Sequence, residues 1–592
     1  MLRQTAAIAV LLTLAALVFS SGLGGEFVLD DSANIKHNPI LAETNPLAVF
    51  IHSFAGWSPL GKGIAPVSAL TYWSNIRLGG FSPISLKLFN IALHLLIVLA
   101  LFHFIYNHIF NKDLTKSCIA VGFFAVNPAV IHGVVYISGR SFLMAALFAI
   151  LSINSFAAYR KKPYRAKLIL SGLFSVCAVL SHFSAVLVFF AIPLFDWLVH
   201  SNRKSRVWME ISAILFPVFI LIRGLISSNL RCNLLCRLTE LLSNAPFLFL
   251  ANFAKIFIPA NLSPFITPES VFAGSPLAIV IGTIFLLCLI ILVRQLTRSG
   301  RRFIAMALAL TAAFLFPSIL TLGHGKIDFG GLYLPSMFAG ILFAQVLDHI
   351  TDIIRVRYSK SSPHLVISIG VILLFASISY LGSFNWTNEV LLAQTHLEKK
   401  GQSAPAMSSM ANSMFEIDEF DSTVIYAQKA VVIDSFDISP WVNMAIAYSN
   451  LGHNKAGLWC LERFEAISGQ TPPKWHYARG IIHLNAGNRR LAREIFAESA
   501  WEYPPAQFEL GKLLYDTGKY HESVEILKIA KKNDPFNAKI YYILSEAFEA
   551  SGDNHSAREA WRAYLELPGI KTAQLVGDED APGVIPARKQ ED

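Results

Sequence analysis

Long apolar stretches, separated by short polar and basic clusters, run along the first two thirds of the chain. A helix of about 20 apolar residues is long enough to cross a hydrocarbon layer of roughly 30 Å. We predict eleven transmembrane helices, near residues 5–23, 86–106, 118–136, 142–158, 168–181, 184–199, 208–225, 276–293, 303–321, 333–348 and 365–383. The pattern predicts an all-α fold that opens with a polytopic membrane domain, residues 1–385, with an external loop over residues 24–85.

Two of the apolar segments allow more than one interpretation. The first is followed by Ser20-Ser21-Gly22, small residues of the kind found at a signal cleavage site, but its length favours an uncleaved signal anchor. The segment Asn244 to Pro259 is short and bounded by proline, so we predict that it is re-entrant or lies at the membrane interface.

Positive charge is distributed in a way that predicts topology. Although the chain carries a formal net charge of +9, its basic residues do not form one stripe, which argues against binding to nucleic acid. Cytoplasmic loops of membrane proteins are enriched in Lys and Arg. We therefore place the N terminus in the cytoplasm and the C-terminal region outside, as in a multi-pass protein of a bacterial inner membrane with a periplasmic domain. The clusters lie within residues 112–116, 160–167, 203–206, 294–302 and 355–360.

The chain changes character after Trp386, where glycines recur at intervals of 35, 31 and 34 residues. This spacing is typical of tetratricopeptide repeats, in which each unit is a pair of antiparallel helices. We predict that residues 386–568 form an α-solenoid of four to five such repeats, the earliest beginning near Pro405 and containing Ala427. The recurring glycines are Gly452, Gly487, Gly518 and Gly552, and small residues follow three of them at Ala492, Ser523 and Ala557.

The concave face of such a solenoid commonly holds an extended peptide, so we expect a protein acceptor or partner to bind there. The alternative is that the repeats pack only against the membrane domain or against another copy. The aromatic residues Trp441, Trp475 and Tyr541 are candidates for peptide contacts, although packing between helices is the stronger interpretation of each. Residues 569–592 combine charge with Pro and Gly, and we predict that this tail is disordered.

Two adjacent carboxylates, Asp30 and Asp31, follow directly after the first apolar segment. An enzyme that acts on lipid-linked substrates needs a general base at the membrane interface, where these residues are expected to emerge. The alternative is that Asp30 caps a short helix or loop and Asp31 is solvated.

Several motifs occur in one order along the chain. They are Phe27-x-x-Asp30-Asp31, then Pro83 to His94 with Asn90 and His94, then Tyr136-Ile137-Ser138-Gly139-Arg140, then Tyr333-Leu334-Pro335-Ser336, and finally the repeats. This ordered set resembles the transmembrane and tetratricopeptide-repeat O-mannosyltransferases, which are polytopic glycosyltransferases of the GT-C class. The resemblance implies transfer of a sugar from a polyprenyl-phosphate carrier to a protein acceptor at the outer face of the membrane.

The resemblance also implies roles for individual residues. The general base of the family lies in the first external loop and matches Asp30 or Asp31, of which we favour Asp30. Arg140 is the best candidate for binding the lipid phosphate, because a guanidinium group binds phosphate oxygens in pairs. The alternative for Arg140 is a side chain that snorkels to the headgroups. Asn90 and His94 share a helix face and either line the site or, as we favour, bridge helices through hydrogen bonds.

Three departures from the family pattern change the expected charge of the site. Relatives carry His-Pro followed by Glu where this chain has Asn127-Pro128 and then His132, and they carry Lys-Glu where it has His182-Phe183. The Glu-Arg that usually precedes Tyr333-Leu334-Pro335 is replaced by a run that lacks the arginine. The residues concerned in this last departure are Asp328-Phe329-Gly330-Gly331-Leu332.

The lost positive charge has candidate replacements in Lys326 and His324, which lie in the same external loop. If His132 and His182 cluster with them, the histidines form a possible divalent metal site, although no spacing in the chain resembles a zinc site and we predict no other cofactor.

Three functions remain open. The first is a protein O-glycosyltransferase that uses polyprenyl-phosphate sugars. The second is a non-catalytic membrane scaffold or assembly factor that binds proteins through its repeats. The third is a transporter or flippase, against which the absence of visible internal duplication argues.

Overall fold

A computed structural model of the chain describes residues 2–56, 63–200, 234–260, 262–265, 275–320, 329–357, 363–501 and 503–567. Every regular element among these residues is a helix, which confirms the predicted all-α fold. The chain divides into two compact units, which we call the membrane unit and the repeat unit. The membrane unit comprises Met1–Val28, Asn45–Tyr72 and Leu86–His396, and the repeat unit comprises Leu29–Thr44, Trp73–Ser85 and Leu397–Asp592. The predicted external loop over residues 24–85 is therefore shared between the two units.

Among the described residues up to residue 400 there are fifteen α-helices, numbered in chain order. They are α1 Leu2–Ser20, α2 Pro46–Gly56, α3 Pro66–Gly79, α4 Pro83–Phe104, α5 Leu114–Ala125, α6 Ile131–Val135, α7 Arg140–Lys161, α8 Arg165–Ser181, α9 Val188–His200, α10 Leu234–Phe257, α11 Pro276–Arg298, α12 Arg302–Leu320, α13 Tyr333–Arg357, α14 Pro363–Phe384 and α15 Glu389–Lys400.

Seven helical segments among the described residues are long and apolar enough to cross a membrane, and an eighth is added if a pair bent by 49° counts as one span. They coincide with eight of the eleven predicted crossings. The predicted crossings near 168–181 and 303–321 fall on α8 and α12, and the one near 208–225 lies outside the described residues. The seven are Leu2–Ser20, Pro83–Ile109, Ile137–Lys161, Phe183–His200, Pro276–Arg298, Gly330–Ile350 and Leu365–Thr387, and the bent pair is Leu114–Ala125 with Pro128–Val135.

The spans differ in how much of their surface is covered by protein. Only 17% of the Pro276–Arg298 span is buried, whereas 83% of the Gly330–Ile350 span is buried. Since the exposed residues of the first span are almost all apolar, this helix presents its surface to lipid, and the second forms the centre of the unit.

One end of the membrane unit is held together by ion pairs. Lys116 at the start of α5 lies 2.6 Å from Asp348 in α13, and Arg160 near the end of α7 lies 2.7 Å from Asp196 in α9. Lys161 also donates from Nζ to the Asn107 carbonyl at 2.7 Å, which places the predicted cytoplasmic clusters at residues 112–116 and 160–167 at the same end, which we call the basic end. Because α7 is about 33 Å long, its first residue, Arg140, lies at the opposite end, which we call the Arg140 end.

The segment predicted to be re-entrant is the second half of a longer helix, α10, which begins at Leu234 and contains Pro246. Helix α10 packs closely against α11, because a Cβ atom added to Gly282 would lie only 2.3 Å from the backbone of Pro246. Small residues of this kind allow membrane helices to approach each other.

In the described part of the repeat unit, ten further helices, α16 to α25, form five antiparallel pairs, which confirms the predicted tetratricopeptide repeats. The first pair includes Ala427, as predicted. The pairs are Ala404–Glu416 with Phe420–Ile433, Ile438–Asn450 with Asn454–Ser468, Pro473–Asn485 with Arg489–Ser499, Pro504–Asp516 with Tyr520–Asn533, and Ala538–Ala550 with Asn554–Glu566.

The recurring glycines stand at the turn within each of the last four pairs, with φ angles of 77° to 87°. This left-handed conformation costs roughly 1–2 kcal/mol for a residue with a side chain, which explains the glycines. In the first pair Asp418 adopts the same conformation, with φ 60°. The glycine spacing therefore could not reveal this pair. The four glycines are Gly452, Gly487, Gly518 and Gly552.

The aromatic residues considered for peptide contacts are buried between helices. Trp441, Trp475 and Tyr541 expose 5%, 6% and 7% of their surfaces, and the indole of Trp475 donates a hydrogen bond to the Leu461 carbonyl. The packing interpretation is therefore correct for all three.

We predict that Gly487→Ala destabilises the third repeat by about 1 kcal/mol, because no neighbouring atom lies within 4 Å of the new Cβ and only the backbone conformation is strained. Hydrogen exchange of the full chain, followed by mass spectrometry, should speed up about fivefold in Pro473–Asn485 and Arg489–Ser499. The control is Asp418→Gly, which relieves the same strain and should not speed up exchange. Unchanged exchange in the Gly487 variant would contradict the assignment of strain to this turn.

Candidate functional site

The Tyr136-to-Arg140 motif forms a sharp connection at the Arg140 end of the membrane unit. A short 3₁₀ turn, Ile137–Gly139, leads directly into α7, whose first residue is Arg140. A Cβ atom on Gly139 would lie 2.4 Å from the carbonyl oxygen of His132, so only glycine permits this close approach.

Arg140 is completely buried by this connection. Its Nε donates to Oδ1 of Asn90 at 2.8 Å, and its Nη2 donates to the Leu86 carbonyl at 2.9 Å. The guanidinium lies 4.2 Å from the ring centre of Tyr72 and 4.5 Å from that of Phe89, which adds cation–π attraction. The snorkelling alternative is wrong, since no part of the side chain reaches the surface. A lipid phosphate does not reach Arg140 in this arrangement either.

Asn90 connects Arg140 to the turn that precedes α7. Its Nδ2 donates to the Tyr136 carbonyl at 3.0 Å while its Oδ1 accepts from Arg140. The Tyr72 hydroxyl donates to the neighbouring Ile137 carbonyl at 2.6 Å. These contacts clamp α3, α4 and α7 together, and the predicted bridging role of Asn90 is confirmed.

His94 bridges three helices one turn further along α4. Its Nε2 lies 3.0 Å from the Ala125 carbonyl and its Nδ1 lies 2.5 Å from the Tyr333 hydroxyl. Because a carbonyl only accepts, Nε2 carries the proton and Nδ1 accepts from the tyrosine. The predicted bridging role of His94 is confirmed.

Lys87 is a buried cation that the sequence motifs did not identify. Its side chain exposes 1% of its surface, and Nζ donates to the carbonyls of Trp386 and Gly24 at 3.2 and 3.4 Å. The sequence does contain a sign of this buried cation: a lysine stands three residues before Asn90, on the same face of an apolar helix.

The chain that follows α1 is held against the chain that follows α14. The Glu26 amide donates to the Thr387 carbonyl at 3.0 Å. Gly25 has a φ angle of 110°, and a Cβ at this position would overlap the Thr387 carbonyl oxygen. Glycine is therefore required at this position, five residues before the acidic pair begins.

Two of the predicted site histidines pack against the same aromatic ring. The His132 ring centre lies 6.3 Å from that of Phe142, and the His182 ring centre lies 4.1 Å from it. His132 also contacts the rings of Tyr136 and Trp386. Its Nδ1 is buried and has no hydrogen-bond partner in the described part of the chain.

His182 has a local structural role. It precedes the 3₁₀ helix Phe183–Leu187, and its Nδ1 accepts from the Ser184 amide at 3.1 Å. No group of three or more His, Cys, Asp or Glu side chains within the described ranges is arranged to hold a metal ion. His324 and Lys326, the other candidates, lie outside the described residues.

Asp30 and Asp31 belong to the repeat unit. They follow Leu29, whose φ of 53° is left-handed and costs roughly 1–2 kcal/mol for a leucine. The Asp30 carbonyl accepts from the Asn34 amide at 2.8 Å, at the start of the π-helical turn Ser32–Lys36.

The two carboxylates have opposite environments. Asp30 is exposed, and its carboxylate forms no hydrogen bond or ion pair with any described residue. Asp31 has no exposed surface, and it makes no side-chain capping hydrogen bond to the following turn. The alternative in which Asp31 is solvated and Asp30 caps a helix is therefore wrong. Exposed and strained positions of this kind cluster at functional sites.

Comparison with known proteins agrees with this architecture. A family model described as tetratricopeptide repeat matches residues 477–538 and 508–569. A protein O-mannosyl-transferase of Caenorhabditis elegans is 28% identical over 210 residues, which are 33% of this chain and 29% of that protein. Protein O-mannosyl-transferase TMTC1 of Mus musculus is 29% identical over 222 residues, 34% of this chain and 23% of that protein.

The resemblance predicted from the motifs is confirmed. The match spans less than a third of the length of each of these relatives. Among solved structures, MamA protein is similar with a TM-score of 0.23 and 16% identity, over 31% of this chain and 98% of that chain. YrrB is similar with a TM-score of 0.22 and 16% identity, over 31% of this chain and 94% of that chain.

We predict that Asn90→Ala and Arg140→Met each lower the melting temperature of the purified chain. Asn90→Ala deprives a buried guanidinium Nε and a buried carbonyl of their partner, at a cost of about 1–3 kcal/mol. Because the two residues share one hydrogen bond, the double variant should lose less than the sum of the single losses. Asn107→Ala, at a half-buried position of the same helical segment, is the control. Additive losses would show that the two side chains act independently.

Proposed function

We propose that the chain is a membrane protein O-glycosyltransferase that transfers a sugar from a polyprenyl-phosphate carrier to a hydroxyl group of a protein acceptor. The observation that carries the proposal is the exposed, unengaged carboxylate of Asp30. The match of the chain to those relatives supports the same class of reaction.

In this reaction the acceptor hydroxyl oxygen attacks the anomeric carbon of the sugar. The bond between that carbon and the carrier phosphate oxygen breaks, and the polyprenyl phosphate leaves with the electron pair. The Asp30 carboxylate takes the proton from the attacking hydroxyl, which is the role of a general base. An exposed carboxylate without a partner suits this role better than the buried Asp31.

In the membrane unit we propose one positioning residue and several residues that support the site. Arg140 is a positioning residue, because Asn90, Leu86 and two aromatic rings fix it where no phosphate reaches it. His132 stays a candidate for a supporting role, since its Nδ1 has no hydrogen-bond partner among the described residues and a ring N–H donates to oxygen acceptors. His182, His324 and Lys326 remain candidates for supporting charge.

We further propose that the protein lies in a bacterial inner membrane with the repeat unit in the periplasm. The meeting of the predicted cytoplasmic clusters at the basic end supports this orientation. The five helix pairs of the repeat unit suit the recruitment of a protein acceptor or partner.

The test is intact-mass analysis of envelope proteins from cells that lack the gene and carry one of four rescuing chains. The wild type and Glu26→Gln, a matched loss of an exposed acid in the same loop, should restore mass increments of one sugar each. Asp30→Asn should lower the rate of transfer by about 10²- to 10⁴-fold, the usual contribution of a general base.

The fourth chain, Asp31→Asn, separates the two carboxylates. Full rescue by Asp30→Asn together with failure of Asp31→Asn would move the role of base to Asp31. If no strain shows a sugar-sized mass increment, the transferase proposal fails, and the non-catalytic scaffold that acts through its repeats takes its place.

A further inference from the structure

We propose that the turn between the fourth and fifth repeats holds the segment that carries Asp30, which makes Asp534 and Phe536 positioning residues for the transfer reaction. The role in catalysis rests on the proposed function, whereas the physical attachment of the segment to the turn does not. All residues concerned belong to the repeat unit, which comprises residues 29–44 and 73–85 as well as the repeats.

The first contact is a hydrogen bond between residues 497 positions apart. Nδ1 of His37 lies 2.9 Å from Oδ1 of Asp534. The Asp534 side chain is only 11% exposed, and its second oxygen accepts from Nδ2 of Asn537 at 2.9 Å. A carboxylate that is shielded from water and fixed by a neighbour forms a stronger and more directional contact than an exposed pair.

The second contact is a stack of two aromatic rings. The Phe81 and Phe536 ring centres lie 4.8 Å apart with an angle of 19° between the ring planes. Phe81 belongs to the second docked segment, residues 73–85. This segment is tied to the first by the Trp73 indole, which donates to the Glu43 carbonyl at 2.7 Å. One turn of the solenoid therefore holds both segments.

Hydrogen bonds connect His37 to the acidic pair. The His37 amide donates to the Ser32 carbonyl at 2.9 Å, and the Asn34 amide donates to the Asp30 carbonyl at 2.8 Å. Nδ2 of Asn38 donates to the Asn34 carbonyl at 2.9 Å. The segment from Asp30 to Asn38 is thus one compact element, and a displacement of His37 moves the backbone of Asp30.

The first repeat supplies an internal comparison. It ends in Asp434-Ser435-Phe436-Asp437, and the fourth ends in the similar Asp534-Pro535-Phe536-Asn537. Asp434 is exposed and accepts from the Phe436 amide at 3.0 Å, and Phe436 exposes 50% of its surface. At the fourth repeat the corresponding carboxylate is buried. Two turns of similar sequence therefore occur in this chain. The one after the first repeat is exposed, and the one after the fourth repeat contacts the segments 29–44 and 73–85.

The experiment compares the double variant Asp534→Asn with Phe536→Ala against the matched double variant Asp434→Asn with Phe436→Ala, both in the full-length chain. Hydrogen exchange of residues 29–44 should speed up about tenfold in the first variant and stay as in the wild type in the second. With a polyprenyl-phosphate sugar and a peptide acceptor, kcat should fall in the first variant while KM for the lipid donor stays within about twofold. A general loss of structure would instead speed up exchange throughout the repeats, and not only in residues 29–44.

His37→Asn provides a variant that leaves the repeats intact, and it should change exchange and kcat in the same direction to a smaller extent. Unchanged exchange of residues 29–44 in both variants would overturn the attachment. Faster exchange with an unchanged kcat would overturn the positioning role. A wild-type chain that transfers no sugar would overturn the proposed function and with it the positioning role, while the exchange result would still decide whether the turn holds the segment.

Discussion

The membrane unit depends on one constraint, which is that polar groups removed from water must find partners within the protein. The shared hydrogen bond between Asn90 and Arg140 satisfies this constraint at the Arg140 end. One amide group accepts from the guanidinium and donates to the turn before α7, so a single residue on α4 fixes the start of another helix. The lysine and histidine on the same face of α4 extend this arrangement along the helix. These three polar residues of α4 therefore hold the helices together. Any chemical role of these residues is additional to this structural role.

The sequence pattern correctly predicts those elements whose formation depends only on neighbouring residues of the chain. The lengths of the apolar segments predicted most of the membrane spans, because every helix that crosses a membrane needs a minimum apolar length of its own. Glycine spacing predicted the last four repeats because each turn requires a left-handed residue. The first repeat was predicted from Pro405 and Ala427 instead, because Asp418 replaces the glycine at its turn. The start of helix α10 at Leu234 was not predicted, because its first half mixes leucines with charged and polar residues and forms no continuous apolar run.

The candidate site was harder to predict because its properties are set by contacts between distant parts of the chain. Nothing in the adjacent pair Asp30-Asp31 indicates that one carboxylate is exposed and the other completely buried. Arg140 was expected to reach the surface, yet two aromatic rings and two hydrogen bonds enclose it. Lys87 was overlooked because a lysine near the end of a span normally reaches the headgroups, whereas here backbone carbonyls hold it inside.

The strained backbone at Leu29 connects these observations to the repeats. A leucine holds a left-handed conformation only where the surrounding structure supplies more than the cost of the strain. The compact turn that follows and the hydrogen bond of His37 with Asp534 are contacts able to supply it. The conformation at the acidic pair is therefore linked to a turn of the solenoid almost 500 residues away. Repeats of this type are usually regarded as binding surfaces, and in this chain the same helices also shape the segment that carries the proposed base.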